Sequence, residues 1–154
     1  MRKRLSLLLL SKVSVLLLAS PAFASFHLMK IEEVIGGVGG DTSQQAIQLR
    51  MRSAGQNLVG SNAARLIAWD AAGLNPVTLI VFPSNVLNAA QGSRILVVSP
   101  AFASAHPDIP GDFTMTRVIP SSYLPAGRLT FEAFGAIYWS LAWGGPGTRG
   151  APPA

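Results

Sequence analysis

Ala46 to Arg52 reads AIQLRMR. Its side chains alternate without a break, with Ile47, Leu49 and Met51 on one side and Gln48, Arg50 and Arg52 on the other. A repeat of two is that of an extended chain with one face buried and the other in water. The same texture spreads outward in both directions. Upstream, Phe26 to Ile35 (FHLMKIEEVI) reads as a first strand, and Gly36 to Ser43 (GGVGGDTS) as a flexible loop. Downstream, a polar, glycine-bearing connection from Ala54 to Asn62 leads to Arg65–Asp70 (RLIAWD), closed by a turn at Ala71-Ala72-Gly73. Pro76 opens the apolar run Val77–Phe82, and Pro83 with the Asn85–Gly92 loop ends it.

Arg94–Val98 (RILVV) is another apolar strand, followed by a long loop from Ala101 to Gly111 and a strand candidate at Phe113–Ile119. Arg128–Glu132 and Ala136–Trp143 flank Ala133-Phe134-Gly135, the pattern of a hairpin with a three-residue loop. Extended runs about every 8 to 12 residues predict an all-β sandwich of about seven to eight strands. No amphipathic helical pattern of useful length accompanies them, which argues against helical crossovers and a parallel sheet.

Met1 to Ala24 (MRKRLSLLLLSKVSVLLLASPAFA) has a different character. Arg2, Lys3 and Arg4 precede the apolar runs Leu5–Leu10 and Val13–Ala19, and Ala22-Phe23-Ala24 sets small residues two apart before Ser25. That is the layout of a cleavable secretory signal-peptide helix, cut between Ala24 and Ser25 with Ala22 as the other small recognition residue. A membrane-spanning helix needs roughly 20 largely apolar residues, and Lys12 interrupts this run. The expected organisation is a signal peptide at 1–24, a β-sandwich domain at 25–143 and a Gly/Pro-rich tail at 144–154 that reads as linker.

Export changes the charge balance. The whole chain carries 12 Lys and Arg against 7 Asp and Glu, a net of +5, but Arg2, Lys3, Arg4 and Lys12 all lie in the signal. Lys30, Arg50, Arg52, Arg65, Arg94, Arg117, Arg128 and Arg149 then nearly balance the acids, and they are dispersed along the sequence. A nucleic-acid partner is not expected from that pattern. The chain has no cysteine, so neither a disulfide frame nor a lipidated N-terminal cysteine is available, and stability must come from burial.

Within this frame, AIQLRM, RLIAWD and FPSNVLNAAQGSRILVVS, together with the closing GRLTFEAFGAIYWSLAW, resemble the lamin-tail type of immunoglobulin-like domain of exported bacterial proteins. The resemblance implies a compact β-sandwich used for attachment or interaction. It departs from the family at Gln48, which stands where the family usually has an acid, and no matching Asn follows. No role tied to that acid is carried over.

No catalytic or metal constellation assembles in the sequence. His27 and His106 lack a second ligand at metal spacing, and no Gly-X-Ser-X-Gly elbow occurs. Glu32 and Glu33 are neighbours on a strand, so they point to opposite faces and read as the solvated end of an edge strand. Asp108 and Asp112 share a Pro-rich loop, where two acids with backbone carbonyls leave calcium, which takes six to eight oxygen ligands, as a minor alternative. Gly36 to Asp41 lacks the lysine and the following helix of a phosphate cradle. Ile137, Trp139, Leu141 and Trp143 share one face of the last strand, where Leu129 and Phe131 can meet them, and read as core. Tyr138, on the opposite face, and the pair Arg50 and Arg52 are the candidates for a surface contact.

The expected function is that of an exported, non-catalytic module with a structural, surface-attachment or protein-interaction role. Its place would be the periplasm, the cell surface or the medium, with another protein or an extracellular polysaccharide as partner. No cofactor or metal is expected, nor a membrane span after cleavage. The alternative is a carbohydrate-binding module from a larger secreted hydrolase, with the aromatics stacking on sugar rings; a secreted enzyme whose residues meet only in the fold comes third.

Overall fold

The structure is a computed structural model that describes residues 26–144. The expected signal peptide at 1–24, its expected cleavage residues Ala22, Ala24 and Ser25, and the expected tail beyond Gly144 lie outside the described residues. Eight strands form, β1 Met29–Ile35, β2 Ala46–Met51, β3 Arg65–Asp70, β4 Val77–Val81, β5 Arg94–Val98, β6 Phe113–Thr114, β7 Gly127–Ala133 and β8 Ala136–Trp143. They make two four-stranded sheets, ordered β1-β2-β5-β6 and β4-β3-β7-β8. All pairings are antiparallel except that of β5 with β6.

The alternation in β2 holds in space. Ile47, Leu49 and Met51 are at most 1% exposed, whereas Gln48 and Arg50 stay half-open on the outer face. The inner residues of β2 join Met29 and Ile31 of β1 and Ile95 and Val97 of β5, and from the other sheet Leu66, Ala68, Leu79, Leu129 and Phe131. One continuous core therefore lies between the two sheets, as expected for faces that must cover each other.

Several boundaries differ from the sequence reading. The first strand starts at Met29, because Phe26 turns into the core and residues 27–28 form a turn. The loop at 101–111 begins as the helix α1, Pro100–Ala105. Ser99 Oγ accepts the Phe102 N–H at 3.1 Å and Pro100 takes the first turn, the usual start of a helix. The expected strand at Phe113–Ile119 shortens to two paired residues, since Met115 N bonds Val98 O while Thr116 N already bonds Leu79 O of the other sheet. A chain crossing between layers cannot extend one ladder.

The two glycine turns are tighter than expected. Gly36–Ser43 is a structured turn in which Val38 and Asp41 exchange backbone bonds around Gly39 (φ 59°) and Gly40 (φ 90°). The β7–β8 hairpin has a two-residue loop, because Ala133 pairs with Ala136 and only Phe134 (φ 52°) and Gly135 (φ 79°) lie between. Positive φ at both central residues is the turn that suits twisted strands. Gly135→Ala is expected to lower stability by about 1 kcal/mol, read as a shifted urea midpoint with an unchanged slope.

Candidate functional site

The edge strands β1 and β8 lie side by side, one in each sheet. At one end the seam is closed by rings: His27 stacks on Tyr138 with centroids 4.4 Å apart, and Phe26 meets Tyr138 edge-on at 5.2 Å. At the other end it opens into a groove of about 460 Å³. Glu33 and Val34 of β1, Leu141 and Trp143 of β8, Leu124, and glycines of the 36–40 turn line it. Both strands thus run in the same direction, from the aromatic contact to the groove. Trp143 is fixed there: its Nε1–H donates to Tyr123 O at 2.9 Å, and a side chain on Gly127 would stand 3.0 Å from the indole. An apolar groove with a pinned ring and a few polar groups on its rim is the usual form of a small-ligand site.

The outer face of β1, β2 and β5 carries a different feature. Lys30 pairs directly with Arg50, and Arg50 with Arg94, so three cations stand in a row across three strands. Glu32 holds them, accepting Arg94 Nε at 2.8 Å and Arg50 Nη1 at 3.1 Å, with Lys30 Nζ at 3.4 Å. Gln48 Nε2 adds a fourth contact to this carboxylate at 3.1 Å. A shallow hollow of about 270 Å³ adjoins the row, lined by Lys30, Arg50, Met51, Arg52, Gln91 and Gly92.

Partial desolvation pushes the Glu32 carboxyl up, but the bonds from Arg94, Arg50 and Lys30 outweigh it and bring its pKa from 4.5 to about 2. A carboxylate depressed in the folded state adds stability above its unfolded pKa and loses it as pH falls through the folded value. The Glu32 contribution is therefore complete above about pH 4.5 and gone near pH 2. Thermal melts of native protein and Glu32→Gln are expected to differ at neutral pH and to converge between those limits.

Arg50 and Arg52, expected as a solvated pair, border the same hollow but make different contacts. Arg50 is tied to Glu32, while Arg52 falls beyond the end of β2 and sits over the Trp139 ring at 5.4 Å. Tyr138, expected on the exposed face, packs against the core. A bulge opposite Phe131 and Glu132 gives β8 an extra residue there, so Tyr138 turns inward beside Trp139 while Ile137 leaves the core set. Trp139, Leu141 and Trp143 do pack inward, with Phe131 opposite Trp139 and Leu129 opposite Leu141.

Of Glu32 and Glu33, read as a solvated strand end, Glu32 is the extra residue of a bulge in β1, and both border the groove. The basic residues that look dispersed in sequence gather, since Lys30, Arg50, Arg52 and Arg94 share one region. Asp112 is spent on structure, accepting the Leu96 N–H at 2.7 Å. His106 bonds Gln44 Oε1 at 3.2 Å and lies against Phe102. Among the described residues no group of three His, Cys, Asp or Glu is placed to hold a metal, and no helix is long and apolar enough to cross a membrane.

A second polar assembly lies on the outer face of β3 and β7, bonded within itself except at the buried Arg65 Nε. Trp69 Nε1–H donates to Thr130 Oγ1 at 2.9 Å, the Thr130 hydroxyl donates to Glu132, and Arg65 reaches Glu132 at 3.3 Å. Arg128 covers the Trp69 ring at 4.9 Å. Thr130 and Glu132 are buried, and this network serves the sheet. The fold and its two surface features define a mostly-β, two-sheet domain with a groove at one seam and a cationic outer face. No protein-family model matches the chain, and no curated protein matches it.

Proposed function

We propose that the chain is an exported, non-catalytic β-sandwich module that works by binding, as the lamin-tail-type immunoglobulin-like domains it resembles are expected to do. The observation that carries this reading is the seam groove, where Trp143, pinned by its bond to Tyr123 O, shares the lining with Leu124 and Leu141. Such a surface recognises shape and apolar contact and supplies no assembled acid, base and nucleophile. The Met1–Ala24 segment supports export, and mass spectrometry of protein recovered outside the cytosol should give an N-terminus at Ser25. Recovery of intact Met1 from the cytosol overturns that part.

The non-catalytic reading is tested with a panel of glycoside, ester and peptide substrates. Turnover that His106→Ala removes would refute it. A second reading, a carbohydrate-binding module, is favoured by the Trp143 ring, because a flat indole presented in a groove suits the apolar face of a sugar. On a glycan array, Trp143→Phe should keep binding and Trp143→Ala should lose it, both variants melting cooperatively. Equal binding by all three proteins excludes the groove as the sugar site.

A further inference from the structure

The row Lys30–Arg50–Arg94 breaks a rule of sheet design. Like charges directly opposite on neighbouring strands destabilise the pairing, yet two such pairs stand side by side here. Among the described residues Glu32 is the one carboxylate bonded to the row, so three cations share a single negative charge. Its bonds to the arginines engage Arg94 Nε and Arg50 Nη1, leaving the Nη pair of Arg94 and the Nη2 edge of Arg50 toward other acceptors. Arg94 has about half of its side chain exposed (52%). Departures from local consistency of this kind concentrate where a protein binds something.

From this arrangement we propose that the outer face of β1, β2 and β5 is a binding site for a linear acidic polysaccharide of the polyuronate type. The proposal rests on the reading of the chain as a binding module, but it places the ligand on a different surface from the groove. Guanidinium forks match carboxylates in a way that a point charge does not. The strands that carry the three cations are spaced about 4.8 Å apart, close to the length of one sugar ring along an extended chain, and their charged ends gather around Glu32.

Hydroxyls have partners as well. Gln91 spends Nε2 on Arg52 O at 3.2 Å, and its Oε1 faces no protein donor among the described residues. Gly92 lines the hollow at φ 85°, a backbone conformation that favours glycine. A flat row of this size neutralises a few carboxylates of one strand, whereas duplex nucleic acid asks for more phosphate contacts and a groove to enter.

The test uses the chain on immobilised polygalacturonate, beside the same polymer with its carboxyls methyl-esterified. Retention is expected on the acidic polymer only, weakening about tenfold or more between low and physiological salt. Arg50→Ala with Arg94→Ala should weaken it by about tenfold or more. Arg117→Ala, which removes one positive charge elsewhere, should leave it unchanged. Glu32→Gln should bind more tightly, a direction that mere structural damage would not produce, and circular-dichroism melts check that each variant is folded.

The proposal is overturned by no retention, by equal retention of the esterified polymer, or by an Arg117→Ala loss equal to that of the double variant. It is also overturned if duplex DNA or anionic vesicles are bound as tightly as polygalacturonate. Retention of the esterified polymer that Trp143→Ala abolishes would overturn this site and leave the binding-module reading standing.

Discussion

Phe131→Ala is expected to lower the unfolding free energy by about 3 to 5 kcal/mol, the largest effect of any single truncation considered. Phe131 is fully buried on β7, opposite Leu66 of β3 and Trp139 of β8. Its ring meets Phe26 and Phe82 edge-on, each with centroids 6.2 Å apart. These partners come from both ends of the chain and from its middle, so collapse at one place cannot refill the void. Phe131→Leu, which conserves more volume, should cost clearly less. Urea unfolding of both variants measures the difference, and equal small losses would mean that the core repacks freely around this position.

Gln45→Leu is expected to cost about 3 kcal/mol, although it adds apolar surface to a fully buried site. The Gln45 side chain imitates a strand partner: its Oε1 accepts the Ile119 N–H at 2.7 Å, and its Nε2 donates to Ile119 O at 2.9 Å and Thr42 O at 2.8 Å. Leucine leaves the N–H and C=O of Ile119 buried without partners, and each such loss costs about 1 to 3 kcal/mol. Amide hydrogen exchange locates the effect, because the Ile119 N–H should lose its protection while core amides of β2 change only with global stability. A variant as stable as the native protein would show that water replaces the glutamine without penalty.

The sequence carried the fold where periodicity is local and uninterrupted. AIQLRM has one register and no bulge, so its inner and outer faces were legible directly. Bulges defeat that reading. One extra residue at Tyr138 reverses parity along β8, and nothing in IYWSL announces it. The helix at Pro100 is six residues long and has no room for a helical stripe, though its Ser-Pro start is a start signal.

The candidate site was less visible than the fold. Glu32 meets Arg50 and Arg94 from 18 and 62 positions away, so the cation row exists only once β1, β2 and β5 are laid side by side. Arg50 was singled out and Lys30 and Arg94 were not, because their own segments give no hint of their neighbours. The groove depends in the same way on two strands from opposite ends of the domain.

The shared direction of β1 and β8 has a mechanical consequence. Phe26 sits beside Phe134 and Tyr138 at one end of the sandwich, and Gly144 follows Trp143 at the other, separated by the eight residues of β8, about 25 Å. Tension applied through Phe26 and Gly144 runs along these strands, while their hydrogen bonds to β2 and β7 lie across it. The ladders are then loaded in shear, all rungs at once, and in single-molecule pulling should resist a higher force than when the handles are placed at Phe26 and Phe134, on the same end.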